Sequence, residues 1–205
     1  MSLGGKFNLI LIITFLVGMT AAGWLSYKML QQNARDEILH TADIIMESAL
    51  AIRNYTVSQV KPLLVPHMND VFLPQTVPAY AAMQSITGLR KKYPEYSYKE
   101  ATLNPTNPVS RATDWETSIV EYFRNNADAK ELVGEHETAI GLSLYIARPI
   151  QVSNSGCLSC HGESEDAPRA MLAKYGTAGG FGWHLDEIIG AQIVNVPMSV
   201  ALERA

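Results

Sequence analysis

Residues 7–27, FNLILIITFLVGMTAAGWLSY, run for 21 positions without a charged side chain. No other segment restricts the chain so strongly. A bilayer core of ~30 Å takes about 20 apolar residues of helix, so the run is long enough to span one. Lys6 and the amino terminus flank one end, and Trp24 and Tyr27 mark the other as an aromatic belt at headgroup level. A cleaved signal peptide, with small residues at Thr20-Ala21-Ala22, is the competing reading. A buried core helix fits poorly with so long an uncharged run. The reading adopted is an uncleaved membrane anchor over residues 1–30. Lys28 offsets Lys6, so charge alone orients the span only weakly.

The rest, residues 31–205, has the size of one soluble domain. Hydrophobic residues at 47% and charged residues at 18% exclude wholesale disorder. The first 30 residues hold two basic side chains, Lys6 and Lys28, and no acid. That leaves 14 basic and 20 acidic for the domain, a net of −6 within a chain total of −4. Such a surface has no basic field for nucleic acid.

From Gln31 to about Val60 there is no Gly or Pro, and Ile38, Ile45 and Ile52 recur every seven residues with Ala42 and Ala49 between them. The spacing predicts a long helix whose stripe faces the core or a dimer seam, the core being favoured. Lys61-Pro62 breaks it, and Pro66, Pro74 and Pro78 impose an irregular stretch. A helix is expected over 79–92, a strand over 96–103 and a rigid turn at Asn104-Pro105-Thr106-Asn107-Pro108. Asp114 is read as the N-cap of a helix to Asn126 that buries Trp115, Ile119, Tyr122 and Phe123. Strands are expected over 141–152, 183–185 and 189–197, with a short helix over 167–175 and a flexible loop at the glycines of 176–182. The class is α+β, with an antiparallel sheet flanked by helices.

One motif carries chemistry. Cys157-Leu158-Ser159-Cys160-His161 is C-x-x-C-H, the attachment pattern of c-type haem. Two thiols at this spacing each add to one vinyl group of the macrocycle, and the next histidine sits under the iron as an axial ligand. A thioredoxin-like C-x-x-C would open a helix after a βαβ strand, whereas Ser155 and Gly156 put this one in a loop. Half a zinc site would need a second ligand pair, yet His40, His67, His136 and His184 are scattered. Both cysteines of the chain lie in the motif, which leaves none for a disulfide or for a zinc site built on four cysteines. One covalent haem c is therefore expected. That chemistry is performed outside the bacterial cytoplasmic membrane, so the expected topology is a single-pass inner-membrane protein with its domain in the periplasm.

The chain also resembles a known family. The resemblance rests on Arg53-Asn54-Tyr55-Thr56, Val77-Pro78-Ala79-Tyr80, Asn104 to Pro108 with Arg111-Ala112 and Asp114-x-Glu116, Cys157 to Gly162, and Gly190-Ala191-Gln192-Ile193-Val194-x-Val196-Pro197. It is similar to single-haem c proteins with a PAS-like fold, first described in cyanobacteria and found also as periplasmic sensor modules of histidine kinases and chemoreceptors. It covers about residues 35–200. The resemblance implies a five-stranded antiparallel sheet with haem against one face. It also implies that Arg53 and Tyr55 serve the haem propionates or the haem edge. The characterised relative uses a cysteine as its second iron ligand, and this chain has no third cysteine.

The second axial position is expected to come from His67 or Met68, which follow Pro66 in the irregular stretch. Met46 and Met83 read as core filling, His40 as solvated, His136 as part of a polar turn between Glu135 and Glu137, and His184 as outward-facing. The function expected is a membrane-anchored periplasmic mono-haem cytochrome, an electron carrier or haem subunit of a larger membrane complex. Its partners would be haem, membrane lipid and a redox protein, and no catalytic residue pair is visible. The alternative is a redox or gas sensor domain. The few residues after Val196-Pro197 leave no output domain, which favours the carrier.

Overall fold

Every residue from Leu3 to Tyr55 belongs to one unbroken helix, α1. The architecture is that of a computed structural model, which describes residues 2–139 and 141–200; the last five positions of the 31–205 domain lie outside the described residues. From Lys6 to Asn33 all side chains of α1 are exposed, and this stretch is long and apolar enough to cross a membrane. The periodicity then changes. Ala34, Ile38, Ala42, Ile45, Met46 and Ala49 are buried, so the stripe of the second half is the core face of the domain.

The helical rod continues through a π turn, Thr56–Val60, into the short α2, Lys61–Leu64. Pro62 explains the change of winding. It has no N–H for the carbonyl of Ser58, and its ring would crowd that oxygen in an α-helix. The Lys61 N–H bonds instead to Thr56 O, five residues back. Helical turns at Val65–His67 and Pro74–Thr76 lead to α3, Pro78–Leu89.

Four strands form one antiparallel sheet in the order β1-β4-β3-β2: β1 Ser97–Thr102, β2 Leu132–Thr138, β3 Gly141–Gln151 and β4 Ile188–Pro197. Helices cover both faces. On one, α1 and α3 pack on Tyr98, Leu144, Ile146, Val194 and Val196. On the other, α4, Asp114–Asn125, sets Ile119, Val120 and Phe123 against Ala101, Ala147, Ala191 and Ile193. Burying side chains of this size is worth ~1.5–3 kcal/mol each. The alanines Ala42, Ala49 and Ala82, all at 0–1% exposure, let α1 and α3 come close.

Ion pairs set the rotation of α1 on the sheet. Arg148 of β3 reaches Asp43 at 2.8 Å and Glu47 at 2.6 Å on α1, and Glu131 at 2.9 Å. Arg53 of α1 pairs the opposite way with Glu100 of β1.

The α+β class and the antiparallel sheet agree with the expectation. The details differ in four places. Among the described residues the sheet has four strands rather than five. Residues 183–185 form no strand, while 132–138 do. The cap of α4 is Thr113, whose side chain and that of Glu116 form a capping box. Tyr122 is 39% exposed, and Val120 takes its place in the core.

Candidate functional site

The C-x-x-C-H motif lies on an excursion between β3 and β4. Two backbone bonds close its base, Val152 N–H to Glu187 O and Asp186 N–H to Val152 O, both 2.9 Å. Asn154 starts the turn, its Oδ1 accepting from Gly156 N–H at 2.7 Å and its carbonyl from Cys157 N–H at 3.0 Å. One turn of helix, α5, Leu158–His161, follows and stops at Gly162. A Cβ at Gly162 would sit 2.7 Å from Leu158 O, so the stop requires glycine. The expected short helix follows as α6, Arg169–Tyr175.

The glycine-rich loop then comes back alongside the motif. Gly182 N–H donates to Gly162 O at 2.8 Å and Trp183 N–H to His161 O at 3.0 Å. The indole of Trp183 stacks on the His161 imidazole. Gly180 adopts φ of 82°, which favours glycine, and a Cβ there would strike Thr106. Gly179 packs closely too, a Cβ there falling 2.8 Å from Asn104 Oδ1 and from Pro105 O. The Asn-Pro turn therefore buttresses the loop that buttresses the motif.

The carbonyl of Gly180 accepts a hydrogen bond from His161 Nδ1–H at 2.7 Å. A carbonyl can only accept, so Nδ1 carries the proton and Nε2 is left with its lone pair. Burial, reinforced by nearby Lys61, holds the imidazole below its ordinary pKa despite the Gly180 bond. At neutral pH His161 is thus a neutral imidazole with a fixed ring and a free Nε2. That is the form a metal-ligating histidine takes when a carbonyl holds its other nitrogen. The thiols of Cys157 and Cys160 are unpaired and half-buried. Two free thiols and one such imidazole make a donor set that fits a covalently held haem.

The helical rod flanks the motif with two cations. Lys61 Nζ donates to Gly156 O at 3.2 Å. Arg53 lies within electrostatic reach of Cys157; burial opposes its charge, but the paired Glu100 carboxylate outweighs that and raises its pKa. Eight residues overshoot two turns at about 3.6 residues per turn. The π turn takes up the extra residue between Arg53 and Lys61.

The other residues singled out from the sequence are placed as follows. Tyr55 ends α1, and its exposed side chain makes no hydrogen bond or ring contact among the described residues. His67 is exposed in its helical turn. Met68 is buried, and its Sδ accepts from the Thr76 hydroxyl at 3.4 Å. Among the described residues no hydrogen bond joins either to the motif. Met46 is buried in the core and Met83 packs against it. His40 is exposed. The His184 side chain is 85% exposed, as expected. His136 is not on a turn: it lies in β2 and stacks on Trp115 with centroids 4.1 Å apart. Sequence reasoning missed Trp183, Gly180 and Lys61, although the glycine cluster was a visible signal.

A family model described as Tll0287-like matches residues 31–197. Among solved structures, the fold is similar to that titled "Crystal structure of the cyanobacterial heme-protein Tll0287", with a TM-score of 0.59 and 18% identity. The match covers 78% of this chain and 95% of that one. No curated protein matches.

Proposed function

This chain belongs to the Tll0287-like family, and from that premise we propose that it is a membrane-anchored mono-haem c-type cytochrome that carries electrons on the outer side of a bacterial inner membrane. The solved relative is titled a haem protein. The observation that carries the reading is the donor set: free thiols at Cys157 and Cys160 beside an imidazole whose Nδ1–H is tied to Gly180. Cys157 and Cys160 would hold the haem through thioethers, the sulfur and hydrogen of each thiol adding across one vinyl group so that nothing leaves. Haem, when bound, supplies an iron that takes up and gives back one electron. Gly180 and Trp183 hold the His161 ring in one orientation, which keeps reorganisation small as the charge changes. The thiols are half-exposed, so a macrocycle held there would have an edge near the surface, open to a redox protein or to a larger membrane complex. His67 or Met68 would be the residue to hold the iron from the side opposite His161. Arg53 and Tyr55 would serve the haem propionates or the haem edge. The chain is not an enzyme.

A second reading, a redox or gas sensor, is favoured by one feature: α1 runs unbroken from the apolar run to the motif's flank. The two separate on ligand reactivity. Denaturing gels stained for haem, with optical spectra in both oxidation states, test the proposal. Colour retained through acid-acetone and a low-spin spectrum in both states are expected. Colour lost from the band overturns covalent attachment. A high-spin parent that binds carbon monoxide at once replaces the carrier by the sensor.

A further inference from the structure

The α1-facing side of the sheet carries a polar row beneath the apolar stripe of α1. Glu100, Gln192 and Arg148 lie side by side on β1, β4 and β3. Glu100 is 2% exposed and Gln192 4%. The Tyr98 hydroxyl donates to Glu100 Oε1 at 2.7 Å and accepts from Gln192 Nε2 at 2.9 Å. Burial, then the neighbouring Glu100, raise the Tyr98 pKa, so this hydroxyl keeps its proton. The second carboxylate oxygen of Glu100 pairs with Arg53.

The two ends of this ion pair differ in depth. The Glu100 side chain is 3% exposed in the core, whereas that of Arg53 is 24% exposed on the rod that also holds Gly156 through Lys61. The pair is therefore a fixed dipole whose positive end is the shallower one, on the rod that flanks the motif. Burying a carboxylate costs several kcal/mol even when it is paired, and an apolar pair of like volume would pack as well. Charges held in a water-poor interior act over longer distances than surface charges.

We propose that Glu100, set by Tyr98 and Gln192, is a positioning residue that holds Arg53 as a fixed positive charge beside the haem, and that the pair tunes the iron's reduction potential, Arg53 raising it and Glu100 lowering it. The inference rests on haem attachment at Cys157 and Cys160. The step it concerns is the gain of one electron by the ferric site, supplied by a redox mediator, with no bond made or broken.

The test uses the full haem-loaded chain and the variants Arg53→Gln, Arg53→Lys and Glu100→Gln, each titrated to its midpoint potential with haem stain and both spectra recorded. Arg53→Gln is expected to shift the midpoint down and Glu100→Gln to shift it up, while Arg53→Lys stays near the parent. Packing damage alone would move both substitutions the same way. Shifts of equal sign, or none in variants that keep the parent spectrum, overturn the proposal while leaving haem attachment intact. A parent without covalent haem sinks both readings. If Glu100→Gln does not accumulate folded, Arg53→Gln against Arg53→Lys decides: equal midpoints overturn the proposal, and a drop restored by lysine supports it.

Discussion

The imidazole of His161 lies flat on the indole of Trp183, with ring centroids 3.9 Å apart and planes 12° from parallel. Stacking of this kind adds ~0.5–1.5 kcal/mol beyond area burial. Trp183→Ala is therefore expected to lower stability by about 1–3 kcal/mol once the cavity is included. Covalent haem should remain, with a high-spin fraction growing on warming. Thermal melts and ferric spectra check this; an unchanged melt would show the stack to be incidental.

His67 and Met68 separate by environment. The imidazole is exposed, while the thioether is buried against Thr76. His67→Ala is expected to give a high-spin site that reacts with carbon monoxide. Met68→Ala is expected to cost ~2–5 kcal/mol as a core cavity and to leave the spectrum alone. The reverse pattern makes Met68 the ligand; two parent-like spectra place the ligand elsewhere.

Acid should unfold the haem-free chain through His161. Burial holds its pKa below the ordinary 6.5. Below that pH the unfolded chain takes a proton that the folded one resists, so stability present above it is lost as pH falls through the depressed folded value. Denaturant midpoints of haem-free protein should drop over that window. His161→Gln should flatten the drop, and a drop of equal size in the variant would assign it to other groups.

Arg148 of β3 pairs at once with α1 and with the segment before β2. Its partners Asp43, Glu47 and Glu131 are 47%, 61% and 38% exposed, so each pair is worth only ~0.2–1 kcal/mol. Arg148→Ala should cost about 1–2 kcal/mol in low salt and less in high salt. Chemical denaturation at two ionic strengths measures it. A salt-independent loss would point to packing by the arginine stem instead.

Membrane orientation has its own test. Protease added to intact spheroplasts should digest the domain and leave a small membrane-held fragment. Protection until lysis would reverse the topology.

What could be read from the chain follows the physics of each element. The stripe of Ile38, Ile45 and Ile52 was visible because α1 has one buried face along its second half. Strand β2 escaped because Leu132–Thr138 is an edge strand, charged on its outer face and interrupted by Gly134. That glycine is needed because the ring of Tyr145 lies over it, a cross-strand fact no local pattern carries. Pro62 announced a break but not that the rod would rewind through it. The C-x-x-C-H spacing marks its own chemistry, whereas its supports, Gly180, Trp183 and Lys61, come from distant positions. Glu100 reads locally as one more acid in an alternating strand, and only the packing of α1 shows it to be buried.

The unbroken winding of α1 makes it a ruler. With residues 7–27 in the bilayer, the stretch from Lys28 to Arg53 climbs at most about 40 Å at ~1.5 Å per residue. The redox centre would then ride at a set height above the lipid instead of on a slack tether. A freely diffusing shuttle can meet it there from many directions. A partner embedded in the same membrane must offer its own centre at a matching elevation. Inserting two helical turns below Ala34 would raise the centre by ~10 Å without touching the domain, and so tell the two kinds of partner apart by which one stops exchanging electrons.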